Sequence, residues 1–387
     1  MRTNIAHLFI LVLCFVLFVN EGYSQTELKS DTIPYELAGE KMILTVKIDG
    51  KPVRFIFDSG GRNLVTSDFA KDLNIKIQGN EMVSDVNNKI SRMYKGIFPD
   101  MEIGRSTKIK NVSVLVTSPN TYFRKLNVAG LLSGEAFSKI CLLICSREKQ
   151  IIMTYPFRPK GISRIDGIKM SMGNNFHTVV PLQIANTAID FLFDTGMHGL
   201  IHLTNNDYKK IKDASGITSK ANGCGFWYVG IGGVRDVVQE EFVKLNIDTF
   251  HIKDKSFANI GTFTQNRQMS IIGLGLSEYG NIMLDYPRSL FYFFPFDNNI
   301  TDMNEATKIW NVKILPKDGH FEITGIIGEA DFKIGEQVWN INGTDLSSIP
   351  LDELTINEIM DSITAETGYL LIGVSKDKTK KVMIKKL

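Results

Sequence analysis

The apolar positions of this chain fall mainly in short alternating runs rather than at helical spacing. Val46 and Ile48 alternate with Lys47 and Asp49, and after a turn at Gly50 the run Phe55-Ile56-Phe57 is continuously apolar. Strict alternation predicts a half-buried strand, and a short continuous apolar run after a turn predicts a strand buried on both faces. The same succession recurs without a gap: Val46 to Gly60 can be laid on Leu182 to Gly196, and Leu64-Val65 on Leu200-Ile201. Each copy is a hairpin feeding an aspartate, Asp58 or Asp194. Each later shows two apolar residues meeting a glycine turn, within Gly130 to Gly134 and Ile271 to Gly275. Each closes on a strand ending in Tyr-Pro, at Tyr155-Pro156 and Tyr286-Pro287. A repeat on this scale predicts two all-β lobes of about 130 residues, and a polar aspartate ending a buried strand needs a reason.

Length and charge narrow the function classes. With 387 residues, 43% hydrophobic and 22% charged, the chain can build two or three cored domains. Lys plus Arg number 44 against 42 acidic residues, a net +2 with no block of like charge, so nucleic acid is not an expected partner. Leu8 to Val19 is apolar, follows Met1-Arg2 and precedes Gly22-Tyr23-Ser24, which is small at both positions a signal peptidase reads. We expect residues 1–24 to be a signal peptide and the mature protein to be exported, periplasmic or secreted, with no integral membrane segment. The alternative, an uncleaved anchor, is disfavoured because a spanning helix needs roughly 20 apolar residues. Beyond that leader Cys141, Cys145 and Cys224 remain, an odd number that excludes a complete disulfide framework. Cys141 and Cys145 read as small buried apolar residues, and no Cys and His spacing suits zinc.

FIFDSG around Asp58 and FLFDTG around Asp194, each followed by its apolar-apolar-Gly turn, resemble the bilobal pepsin-like and retropepsin-like aspartic proteases. The resemblance covers roughly residues 35 to 297 and implies an all-β, two-lobed acid-protease β-barrel fold, with lobes at 25–157 and 158–297. It implies a catalytic pair, Asp58 and Asp194, supported by Ser59, Gly60, Thr195 and Gly196. The two hydroxyls would lock the loops together across the lobe interface, and the glycines would let backbone approach without a Cβ clash. Two carboxyls at contact distance cannot both ionise cheaply, so they share a proton and titrate as a unit; one can then take a proton from water while the other gives one to the carbonyl. No metal and no organic cofactor is required.

The sequence departs from that family after the motif, where Gly61 and Met197 stand in place of the usual Ser, Thr or Ala. Neither side chain can donate a hydrogen bond to the pair, which predicts a less acidic dyad and activity at mildly acidic to neutral pH. Arg62 and His198 come next, either facing the dyad or sitting as exposed loop charges. Two segments qualify as cleft-covering flaps: Val83 to Gly96, with an Asn87-Asn88 turn and Tyr94 nearby, and Gly223 to Gly233, with Phe226, Trp227 and Tyr228. For those three aromatics, a substrate-facing surface and a short core strand are both compatible with the pattern. The substrate-binding residues stay unassigned.

After Pro295 the polar, acidic stretch 298–310 reads as a linker. From 311 to 387, Phe321 to Ile327 and then Asp331 to Gly343 resemble the bacterial PDZ pattern, a small α+β domain, with Leu351 to Ile363 as its helix and Tyr369 to Val374 and Lys381 to Ile384 as closing strands. Asn342-Gly343 is the hairpin turn and, with Gly335, is read as turn chemistry rather than ligand contact. PDZ domains bind peptide ends by strand addition, so a peptide ligand is an expected partner beside the protein or peptide substrate of the cleft; Asp318 to Phe321 matches the carboxylate loop only loosely, which keeps a structural end cap as the alternative. The combined expectation is an exported bacterial-type aspartic endopeptidase. Its rivals are a catalytically inactive peptide-binding adaptor with the same fold and an enzyme acting on other peptides, such as those of cell walls.

Overall fold

The structure, a computed structural model, describes residues 28–84, 90–119, 121–173, 175–227 and 240–387. The expected signal peptide lies outside the described residues. Two halves repeat one design. In the first, Lys41–Ile48 and Lys51–Phe57 pair antiparallel about Asp49-Gly50. In the second, Thr178–Ile184 and Thr187–Asp194 pair about Ala185-Asn186. All four turn residues have positive φ, the geometry whose twist matches that of the flanking strands.

Each hairpin's second strand has a parallel neighbour. Gly130–Leu132 runs beside Lys51–Phe57, with Leu132 opposite Phe57, and Ser270–Gly273 runs beside Thr187–Asp194, with Gly273 opposite Asp194. Leu64–Thr66 and Ile201–Thr204 then lie antiparallel on the far side of those neighbours. The apolar-apolar-Gly segments of the repeat are therefore the strands that hold the aspartate strands in place. Burial on both sides explains the unbroken run Phe55-Ile56-Phe57, at most 2% exposed. Beneath each aspartate lies an edge-on aromatic pair, Phe57 with Phe137 at 5.4 Å and Phe193 with Phe291 at 5.3 Å.

A sheet shared by both halves joins them, in the order Ile168–Lys169, Leu290–Pro295, Gly280–Asp285, Cys141–Cys145, Gln150–Tyr155 and Lys29–Ala38. Its seam is the antiparallel pairing of Cys141–Cys145 with Gly280–Asp285, Leu142 opposite Leu284. Cys141 and Cys145 are free and buried in this seam. One apolar cluster, including Phe57, Leu142, Phe193 and Leu284, runs continuously through both halves.

The C-terminal part is woven into this body. The stretch expected as a linker packs on the second half, where Thr301–Asp302 pairs with Lys255–Gln265 and Met303 is buried, and ends at Trp310, buried in the core of the C-terminal part. Beyond it come a hairpin, Val312–Lys317 with His320–Ile327, a helix Glu353–Asp361, and a four-stranded sheet ordered Thr344–Asp345, Val338–Ile341, Thr367–Gly373, Thr379–Lys385. The hairpin extends the second half's sheet: Ile217–Gly225 pairs antiparallel with His320–Ile327, Cys224 opposite Ile326. The helix reaches the first half instead. Asp352 caps it by accepting from Thr355 N at 2.9 Å and also pairs with Lys125 Nζ at 2.9 Å. Leu354 is buried among Ile43, Ile56, Leu64 and Phe123 of the first half. Among the described residues no helix is long and apolar enough to cross a membrane.

Candidate active site

Both aspartates stand where a buried strand runs into a tight turn. Asp58 N donates to Leu132 O at 2.9 Å, and Asp194 closes the pairing with Gly273, so each loop is tied to the parallel strand beside it. Gly60 N donates to Asp58 Oδ1 at 3.1 Å, and Gly196 N donates to Asp194 Oδ1 at 2.7 Å. The loops interlock across the halves: Ser59 Oγ donates to Phe193 O at 2.7 Å and Thr195 Oγ1 to Phe57 O at 2.8 Å. Each hydroxyl oxygen in turn accepts the other loop's backbone N–H, at 3.0 Å in both directions. Ser59 and Thr195 are fully buried, so all of this bonding is shielded from water.

The interlock brings the carboxyls together. A Cβ added at Gly60 would stand 2.5 Å from Asp194 Cγ, and one added at Gly196 would stand 2.8 Å from Asp58 Cγ. Glycine at these two positions is what lets each loop pass against the opposite carboxyl. Asp58 and Asp194 hydrogen-bond one another. Burial, then the Asp194 charge and that hydrogen bond, hold the Asp58 carboxyl well above the usual carboxylate range. Gly61 lies equally close, its virtual Cβ 2.7 Å from Asp58 Oδ2, so a side chain there displaces the carboxyl. Residues 44–136 match the family model for aspartyl proteases. No curated protein matches the chain. The aspartyl-protease match takes in Asp58, its loop and the flanking strand Gly130–Leu132; Asp194 lies beyond it and is tied to it by the internal repeat and the interlock.

Around the matched segment the structure brings in further groups. Lys41 Nζ donates to Gly196 O, and His177 Nε2 donates to Gly61 O at 3.0 Å. Burial pushes the His177 imidazole below its usual value, so at neutral pH it is the uncharged donor. Arg62 turns to Glu81 on the strand Ile77–Ser84, at 2.8 Å, and His198 faces Glu40 at 3.6 Å. Lys41 and His177 had no sequence signal, because their contacts cross between the two halves; Arg62 and His198, expected either to face the dyad or to sit as exposed loop charges, pair with Glu81 and Glu40 instead.

The carboxyls open into a cleft of about 1560 Å³. One wall is the hairpin Ile77–Ser84 with Ile90–Ile97, which includes most of the first candidate flap; Met93 and Tyr94 line the cleft, and residues 85–89 with the Asn87-Asn88 turn lie outside the described residues. The second candidate flap behaves differently. Its start is sewn to the C-terminal hairpin, Phe226 N donating to Thr324 O at 2.7 Å, and Trp227 packs on Phe242 and Phe263 at 5.6 and 5.4 Å. Trp227 thus belongs to a packed aromatic cluster that also borders the cleft, while Tyr228 to Gly233 lie outside the described residues. The opposite wall comes from the C-terminal part, with Trp310, Val312, Ile314, Leu354 and Met360. There Lys313 Nζ donates to Asn357 Oδ1 at 2.9 Å and faces Glu353 at 3.8 Å. Burial pushes the Lys313 ammonium down and the Glu353 carboxyl up, and each offsets the other's shift.

Proposed function

We propose that the chain is an exported aspartic endopeptidase that hydrolyses peptide bonds with water activated between Asp58 and Asp194. The observation that carries this reading is the contact of two carboxyls on repeated, interlocked loops at the floor of a cleft. With one proton shared, one carboxylate accepts a proton from water while the protonated partner donates to the scissile carbonyl; collapse of the tetrahedral intermediate returns the proton to the leaving amine. The interlock fixes the carboxyls before substrate arrives, so little reorganisation accompanies the step. The raised Asp58 carboxyl supports activity reaching from mildly acidic into neutral pH. Export rests on the Leu8 to Val19 run and the small residues that follow it.

The PDZ-like part is proposed to assist substrate binding, because its strand Val312–Lys317 and helix Glu353–Asp361 border the same cleft as the aspartates. Val312–Lys317 ends its sheet, leaving an edge to which an extended peptide can add. The test is digestion of a peptide library by protein lacking residues 1–24, across pH 3 to 8, beside Asp58→Asn and Asp194→Asn. We expect each substitution to lower kcat by at least about a thousandfold, as loss of a coupled acid–base pair does. A folded protein that cleaves nothing yet binds a statine-type inhibitor would instead be a peptide-binding adaptor.

A further inference from the structure

The shift of 136 positions that carries Ser59 onto Thr195 also carries Asp58 onto Asp194 and Lys41 onto His177. Lys41 begins the first hairpin and His177 directly precedes the second. Their contacts are alike in kind, though their acceptors are one position out of register in the repeat, since Gly61 corresponds to Met197 and Gly196 to Gly60. Lys41, from the first half, donates to Gly196 O in the second half's aspartate loop, and His177, from the second half, donates to Gly61 O in the first half's loop. Each aspartate loop is therefore held by its own strand, by the hydroxyl interlock, and by one nitrogen reaching over from the opposite hairpin.

We propose that Lys41 and His177 are a repeat-related pair of positioning residues that clamp the two aspartate loops, with the fixed charge of Lys41 stabilising the ionised form of the dyad. The proposal rests on the peptidase reading for its link to turnover, but its electrostatic part concerns the carboxyls alone. The two members differ chemically where the loops are alike. Lys41 brings a positive charge that acts on Asp58, whereas the half-buried His177 imidazole is held neutral by burial. The surrounding charges are Glu40 beside Lys41, Glu353 on the helix, Lys313 on the strand Val312–Lys317, and His198 facing Glu40; Arg62 and Asp194 act on His177. Glu353 and Lys313 lie in range of Lys41 with opposite signs, with Glu40 and Asp361 in the same cluster, and of these side chains it is the Lys41 charge that acts on Asp58.

The experiment is a carboxyl carbon NMR titration of the dyad in full-length mature protein, as wild type, Lys41→Met, Lys41→Arg and His177→Gln, with kcat and KM profiles against pH measured in parallel. Removing a cation near a carboxyl pair raises its pKa by about one pH unit or more. Lys41→Met should therefore shift the dyad's upper titration step up by about that amount, with the alkaline limb of the kcat profile following, and Lys41→Arg should restore both. His177→Gln keeps a donor and removes only a neutral ring, so the upper step should stay in place. An unshifted dyad in a folded Lys41→Met protein, or a shift of equal size in His177→Gln, would overturn the proposal. If wild type shows no turnover, the peptidase reading fails while the titration still decides the role of Lys41.

Discussion

Asp31 and Asp58 are carboxyls driven in opposite directions by their surroundings. Burial pushes Asp31 up, but the N–H groups of Arg105, Ser106, Thr32 and Thr107 overcome it and hold the carboxyl well below its usual value of 3.8. With its folded pKa depressed, Asp31 contributes stability that is present above the unfolded value and lost as pH falls toward the folded one. Asp31→Ala should cost about 3 kcal/mol at pH 7, since charge-assisted hydrogen bonds are the strong kind. Urea titrations should show that cost shrinking as pH drops from 5 to 2, and an unchanged cost would exclude the carboxylate charge as its source. For Asp58 the sign reverses. A carboxyl with a raised folded pKa weakens the fold as pH climbs through that value, so Asp58→Asn should melt above wild type at pH 8 with the gain fading toward pH 4. An inactive variant that melts lower at every pH would contradict this. Asp58 and Asp194 were legible in the sequence because a repeat doubles a weak motif; Lys41 and His177 were not, because a lone basic residue at a strand start is ordinary until the fold sets it against the opposite loop.

Among the elements, the hairpins and their flanking strands could be read from the chain because alternation, turn residues and repetition all point the same way. The pairing of Ile217–Gly225 with His320–Ile327 could not, since strand partners a hundred residues apart leave no local mark on either segment. Gly225 shows what this pairing requires. Its φ is +100°, and a Cβ there would come 2.1 Å from Thr324 O, a backbone atom that cannot swing aside. Gly225→Ala therefore both strains the backbone and separates the strands, at a cost of about 2 kcal/mol. Hydrogen exchange should accelerate at residues 323–327 and stay unchanged at 43–57; uniform acceleration would place the damage elsewhere. The stretch 298–310 was read as a linker from its polar composition, yet Met303 and Trp310 anchor it, and two apolar residues are too sparse a pattern to announce packing.

At the scale of the molecule, a sheet shared by both halves and a C-terminal part fixed to each of them tie the described elements into one body, which predicts a single unfolding transition. The three tryptophans make this measurable, since Trp227 sits in the second half and Trp310 and Trp339 in the C-terminal part. Thermal unfolding followed by tryptophan fluorescence should coincide with that followed by far-ultraviolet circular dichroism, which reports mainly the strands of the two halves. Midpoints separated by more than a few degrees would mean that the C-terminal part unfolds on its own. The shared sheet also has a consequence in time. Ile144 lies opposite Ile282, so the edge of Cys141–Cys145 turned away from Gln150–Tyr155 has no partner until about 140 further residues exist. At about 5–20 residues per second the nascent chain carries that greasy, unpaired rim for about 7–28 s, and everything made in that interval is a competitor for it.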